Sequence, residues 1–241
     1  MPKFFVTSDI HSYLTPLKNA LDKAGFDPND EDHWLVVCGD VFDRGDESCM
    51  LLKYLMQLER KILVRGNHDT LLEECCMREY PQWHDASNGT KKTIEDIGGA
   101  SVGRPFDECC QRTWHITAAY RSLLVNYFET KNYIFVHSWI PTRYVGYDEN
   151  WRDAKQNRWD DAMWGNPFDS AACGLNQTGK TIVFGHYHTS YQRAVCENKP
   201  EWGKDADFSI YYGDGYIGLD GCTAYSGKVN VLVLEDEFLE V

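Results

Sequence analysis

Glycines bracket a loop with two carboxylates and a guanidinium, Gly39-Asp40-Val41-Phe42-Asp43-Arg44-Gly45, at the end of the apolar run Trp34 to Cys38. A carboxylate in such a loop can hold a cation, and the planar donor fork of an arginine can grip an anion. One Asp–Arg pair alone more often makes a surface salt bridge. Here it has company. Asp9-Ile10-His11 follows Phe4-Phe5-Val6, and Gly66-Asn67-His68-Asp69 follows Ile62-Leu63-Val64. His137 follows Tyr133 to Val136, and Gly185-His186-Tyr187-His188 follows Thr181 to Phe184. Five times an apolar, strand-like run ends in Asp, Asn or His. Loops at the carboxyl ends of parallel strands are where open α/β sheets place their ligands.

The chemistry open to oxygen and imidazole donors without thiolate is divalent-metal chemistry. A phosphoester resists hydrolysis because its anionic oxygens repel a nucleophile and water is a poor one at neutral pH. Two metals about 3.5–4 Å apart answer both problems, by generating hydroxide and clamping the developing charge. Such a pair needs a shared carboxylate, and Asp40 lies in the centre of the set.

These motifs resemble the calcineurin-like metallophosphoesterases, motif by motif from residue 4 to residue 188. The Gly-Asp-x-x-Asp-Arg-Gly and Gly-Asn-His-Asp forms point to the serine/threonine phosphoprotein-phosphatase branch. The likeness resumes at Ile217-Gly218-Leu219-Asp220-Gly221-Cys222 and at Lys228 to Glu235, which look like the closing segment of small bacterial members. The resemblance implies a four-layer α/β sandwich, mixed β-sheets flanked by helices, with the metal site at the strand carboxyl ends. It implies that Asp9, His11 and Asp40 hold one metal, that Asp40, Asn67, His137 and His186 hold the other, and that His188 joins the first. It implies that His68 protonates the leaving oxygen, that Asp43 orients His68, and that Arg44 binds the phosphate. It implies attack by a metal-bound hydroxide, with no covalent phosphoenzyme. The pair is expected to be Mn, with Fe or Zn as alternatives. The chain departs from the family pattern at Ser12, where Gly is common, at Phe42 and Asp69, and most at His188, which the phosphatase branch usually lacks. The second phosphate-binding arginine has three candidates, Arg143, Arg152 and Arg158.

The elements that must position these residues are legible. Thr15-Pro16 reads as a helix start, with the stripe Leu17, Ala20, Leu21 and Ala24 and a stop at Gly25. Cys49 to Leu58 reads as a second helix, so the first three strands form βαβαβ with parallel pairing. A mostly helical insertion is expected at about 70–122 and a Trp-rich loop at about 138–166, within a single domain over 1–241. Pro81 to Gly89 is turn-rich. The tryptophans Trp139, Trp151, Trp159 and Trp164 pack as a lid or stack on a nucleobase.

The formal charge of −13 argues against nucleic acid as a partner, but bound cations would reverse the local field for an anionic substrate. No apolar run reaches the roughly 20 residues of a membrane helix. The N-terminus passes straight into a strand, and the nine cysteines form no C-x-x-C pair; a cytoplasmic protein with reduced thiols is expected. The expected substrate is a phosphoprotein or a small phosphoester. The alternative is a symmetrical diadenosine-tetraphosphate-type hydrolase. A non-catalytic phosphate-binding module is a third reading, with no use for His68.

Overall fold

The computed structural model describes residues 1–144 and 146–239. Strands β1 (Lys3–Thr7), β2 (His33–Cys38) and β3 (Lys61–Val64) pair in parallel, joined by helices α1 (Leu14–Ala24) and α2 (Ser48–Gln57). The predicted βαβαβ is therefore present. The α1 stripe and its left-handed Gly25 stop are as read, but its start differs. Thr15 does not cap α1; the helix begins at Leu14, and the Glu47 carboxylate accepts from the Thr15 N–H (3.0 Å) and hydroxyl (2.7 Å). A distant carboxylate thus supplies what a local cap would have.

Five helices follow: α3 (Asn67–Arg78), α4 (Trp83–Asn88), α5 (Thr90–Gly98), α6 (Phe106–Ile116) and α7 (Ala118–Ser122). Strand β4 (Leu124–Val125) then adds to β3. The second sheet takes β5 (Phe128–Glu129) and β6 (Tyr133–Phe135). After α8 (Gln156–Ala162) and α9 (Pro167–Ala172) it takes β7 (Thr181–Phe184). Helix α10 (Thr189–Glu197), strands β8 (Tyr211–Gly213) and β9 (Tyr216–Gly218), and helix α11 (Thr223–Ser226) come next. Strand β10 (Leu232–Glu235) returns antiparallel to β1. The sheet orders are β10-β1-β2-β3-β4 and β5-β6-β7-β9-β8.

Alternation along the strands explains the layers. Phe5, Leu35, Val37 and Leu63 face α1, α2 and the helices after β3. Phe4, Val6, Val36 and Cys38 face the second sheet and pack on Phe135, Val183, Ile217 and Leu219. Ile134, Ile182 and Phe184 point outward to Trp139, Trp151, Trp159 and Phe168. The result is helices, sheet, sheet, helices: the expected mixed α/β sandwich. All nine cysteines are free, and among the described residues no helix is long and apolar enough to cross a membrane.

Candidate metal centre

The parallel strands of both sheets end on one edge. β1, β2 and β3 deliver Asp9, Asp40 and Asn67 there, and β6, β7 and β9 deliver His137, His186 and Asp220. Backbone bonds stitch the two edges together. The Gly185 N–H donates to His137 O (2.8 Å), and the His186 N–H donates to Asp9 Oδ2 (2.9 Å). Close approach explains the glycines: a Cβ on Gly66 would collide with Asp40, and one on Gly185 with Ser8 and Asp9.

Among the described residues, ten that are not glycine have positive φ. Glu79 and Asn198 end α3 and α10; the other eight, Asp9, His11, Ser12, Asp40, Asp43, Arg44, His186 and Cys222, surround this edge. Each costs about 1–2 kcal/mol relative to an ordinary conformation, and such strain collects at functional sites. Hydrogen bonds hold it in place, among them His11 N–H to Asp40 O (3.1 Å) and Ser12 N–H to Val41 O (2.8 Å). Ser12, where a glycine is expected, adopts the left-handed backbone and shares a hydroxyl bond of 2.8 Å with Ser48.

Two donor groups share Asp40. His11, Asp40 and His68 form one, with Asp9 Oδ1 at 4.0 Å from His11 Nε2. Asp40, His137 and His186 form the other, with Asn67 Oδ1 at 2.8 Å from His137 Nε2. The ring orientations suit a cation. His11 Nδ1–H donates to Phe42 O (2.8 Å) and His137 Nδ1–H to Cys38 O (2.9 Å), so each Nε2 lone pair faces the cluster. The His137 lone pair there confronts an amide oxygen and, at 3.3 Å, Asp40 Oδ1. Acceptors facing acceptors in a buried site call for a positive charge between them. Burial lowers the pKa of His11, His137 and His186, the last to about 4, which keeps the imidazoles neutral and able to ligate. Burial would raise the Asp40 carboxyl, but His137, His68, His11 and His186 outweigh it and hold it below the usual range. Asp9 goes the other way, raised by burial and by Asp220 and Asp40. The residues fit a divalent pair.

His68 is set apart from the ligands by its other nitrogen. Its Nδ1 lies 2.8 Å from Asp43 Oδ2, and its Nε2 faces Asp40 (3.8 Å) and Arg44 (3.5 Å). Asp43 is fully buried and fixed by the Thr90 (2.6 Å) and Thr93 (2.9 Å) hydroxyls. Burial would lower the His68 pKa, but Asp40 and the Asp43 bond raise it above the usual imidazole value. Arg44 is exposed at the mouth. The two threonines were not legible in the sequence; they come from α5, and nothing local marks them.

His188 is not brought into either group. The left-handed turn falls at His186, not Gly185, and His188 then caps α10. Its Nδ1 accepts from the Tyr191 N–H (3.2 Å), and its Nε2 faces Glu201 at 3.6 Å. His188→Ala is therefore expected to keep metal stoichiometry and affinity while losing about 1 kcal/mol of stability with the cap. Calorimetric metal titration checks it; a weakened first metal would restore His188 to the ligand set.

Arg143, Arg152 and Arg158 are each committed to carboxylates away from the cluster. Arg143 and Arg158 pair with Asp148 (3.2 and 2.7 Å), and Arg152 is bidentate to Glu129 (2.8 and 2.6 Å). A cavity of about 1080 Å³ also lies apart from the donor groups, lined by Arg65, Glu73, Glu129 and Arg152, whose charges pair with one another. Trp139, Trp151 and Trp159 are buried as packing, while Trp164 is half-exposed. Asp69, where Glu is usual, caps α3: its carboxylate accepts from the Gly66 N–H (2.8 Å) and the Tyr120 hydroxyl (2.7 Å). Phe42 packs edge-on against Tyr120 at 5.1 Å. Asp69→Ala should cost about 2–3 kcal/mol, from a lost cap and a buried hydroxyl left unpaired. A lower urea midpoint at unchanged m would show it.

Comparison with known proteins places this geometry. Residues 2–190 match the family model described as calcineurin-like phosphoesterase. The chain is 33% identical over 142 residues to the symmetrical bis(5'-nucleosyl)-tetraphosphatase of Pseudomonas fluorescens (strain SBW25), covering 58% of this chain and 44% of that protein. It is 27% identical over 208 residues to the protein of the same name from Pseudomonas putida (strain GB-1), covering 81% and 66%. The chain thus spans 44 to 66% of the length of these relatives. The crystal structure of a proposed diadenosine tetraphosphatase superposes with a TM-score of 0.56 at 18% identity, over 100% of this chain and 97% of that one. A protein serine/threonine phosphatase from Saccharomyces cerevisiae superposes with a TM-score of 0.53 at 14% identity, over 100% and 81%. At such identities these likenesses speak to the fold.

Proposed function

Since the chain belongs to the calcineurin-like phosphoesterases, we propose that it is a metal-dependent hydrolase of phosphoric esters whose substrate is a dinucleoside polyphosphate, cleaved symmetrically. The observation that carries this reading is the name shared by the Pseudomonas relatives that align with 58 and 81% of the chain. It favours this reading over the phosphoprotein reading suggested by the Gly-Asn-His-Asp form. The commitment of Arg143, Arg152 and Arg158 to carboxylates also supports it, since a second phosphoprotein-type arginine is not supplied by those three.

Bound divalent cations, for which Mn is our first choice, supply a Lewis-acid clamp on the phosphoryl oxygens and lower the pKa of water. The chain's residues do the rest. Asp9, His11, Asp40, Asn67, His137 and His186 would hold the cations, all but the half-buried His186 through buried donors. Arg44 offers its planar fork to the phosphate from the exposed side. In its imidazolium form His68 offers the Nε2 proton to the departing oxygen, while its Nδ1–H donates to Asp43, which keeps the ring turned that way.

Mn-loaded protein assayed side by side on diadenosine tetraphosphate, p-nitrophenyl phosphate and a phosphoserine peptide tests the reading. Preferred cleavage of the tetraphosphate to ADP is expected. Preference for the peptide, or release of ATP with AMP, would overturn it.

A further inference from the structure

The segment between α10 and β8 carries an aromatic cluster that the metal centre does not use. Trp202 lies 4.6 Å from the His188 ring and 5.0 Å from Tyr225 between centroids, with Phe208 5.7 Å from Tyr225. Phe208 is buried, but Trp202 and Tyr225 are 48% and 54% exposed, so the cluster is anchored from below and open above. It is not a loose loop. The Gly203 N–H donates to Tyr225 Oη (3.0 Å), Asn230 Nδ2 to Phe208 O (2.8 Å), and Arg193 pairs with Asp207 (3.3 Å).

Three connections tie this cluster to the metal centre. His188, on which Trp202 rests, is two residues beyond His186. Tyr225 is two residues beyond Thr223, whose hydroxyl donates to Asp9 O (2.9 Å). Thr189, next to His188, donates its N–H to the carbonyl of Asp220 (2.9 Å), which stands at the metal edge. An exposed aromatic face held rigid beside a phosphate site is what a nucleobase needs: every base has a π-face, and a fixed platform adds little ordering cost.

We propose that Trp202 and Tyr225, backed by His188 and Phe208, are the platform on which a nucleotide's base stacks while its phosphates reach Arg44 and the Asp40 cluster. This rests on the nucleotide reading of the site. Glu201 sits at the rim, 3.6 Å from His188 Nε2, and its charge turns the phosphate chain away from that side.

The test compares AMP with inorganic phosphate as competitors of p-nitrophenyl phosphate hydrolysis by the Mn-loaded protein. AMP is expected to bind about tenfold tighter than phosphate, a typical stacking gain. Trp202→Ala should remove about tenfold from AMP and leave the phosphate constant within twofold, and Trp202→Phe should recover most of the loss. Calorimetric titration with AMP reads the same platform without turnover. AMP binding no tighter than phosphate, or equal losses for both in Trp202→Ala, overturns the platform. If diadenosine tetraphosphate is not cleaved but AMP still binds through Trp202, the tetraphosphate reading fails and the platform stands.

Discussion

Replacing His68 by asparagine is expected to lower kcat by roughly 10²–10⁴-fold while both metals remain bound, the usual contribution of a positioned proton donor. The geometry allows two opposed readings of this residue, and the variant separates them. His68 Nε2 lies 3.8 Å from Asp40, close enough to belong to the donor group of His11 and Asp40. Its Nδ1, however, is held by a carboxylate that two threonine hydroxyls fix, and its pKa is raised, whereas the pKa values of His11 and His137 are lowered. A raised pKa suits a proton donor; a lowered one suits a ligand, which must offer a lone pair. The loss should be largest for a phosphoserine peptide, whose alkoxide leaves poorly, and smaller for p-nitrophenyl phosphate. Loss of one metal on metal analysis of His68→Asn would make His68 a ligand instead.

What the sequence made legible is what is local. A run such as Trp34 to Cys38 is buried on both faces, and a polar residue just past its end has nowhere to go but the sheet edge. Asp9, Asp40, Asn67, His137 and His186 could therefore be placed from short windows. What was hidden depends on partners far along the chain. Thr90 and Thr93 matter only because α5 packs beside the Asp43 loop, and threonines on a helix carry no mark of that. Asp220 was visible as part of the closing segment, but its effect on Asp9 needs the two sheets to meet. Helix α6 was not read because its inward residues, Cys109, Cys110 and Thr113, give a weak apolar period. The direction of His188 was not legible for a conformational reason: it is set by the left-handed turn at His186, and the positive φ there belongs to no glycine.

Asp40→Asn is expected to leave the protein folded but with fewer than two metals, and to lower phosphoester hydrolysis by on the order of 10³-fold. That magnitude follows from several kcal/mol of Lewis-acid stabilisation at about 1.4 kcal/mol per tenfold. Asp40 is the one residue common to both donor groups, and its oxygens are divided between them. Oδ2 lies 3.8 Å from His11 Nε2, and Oδ1 lies 3.3 Å from His137 Nε2. An amide presents one neutral oxygen and an NH₂ that donates, so both groups lose the anionic charge and one of them loses its oxygen donor whichever way the side chain turns. The imidazoles that surround Asp40 would then face a neutral group. The thermal readout separates lost binding from lost folding. Wild-type protein freed of metal by a chelator should gain melting temperature on adding Mn, because a ligand that binds only the native state stabilises it by mass action. Asp40→Asn should show a cooperative melt in chelator with little gain from Mn. A full gain with two metals per chain would mean that Asp40 does not join the two groups.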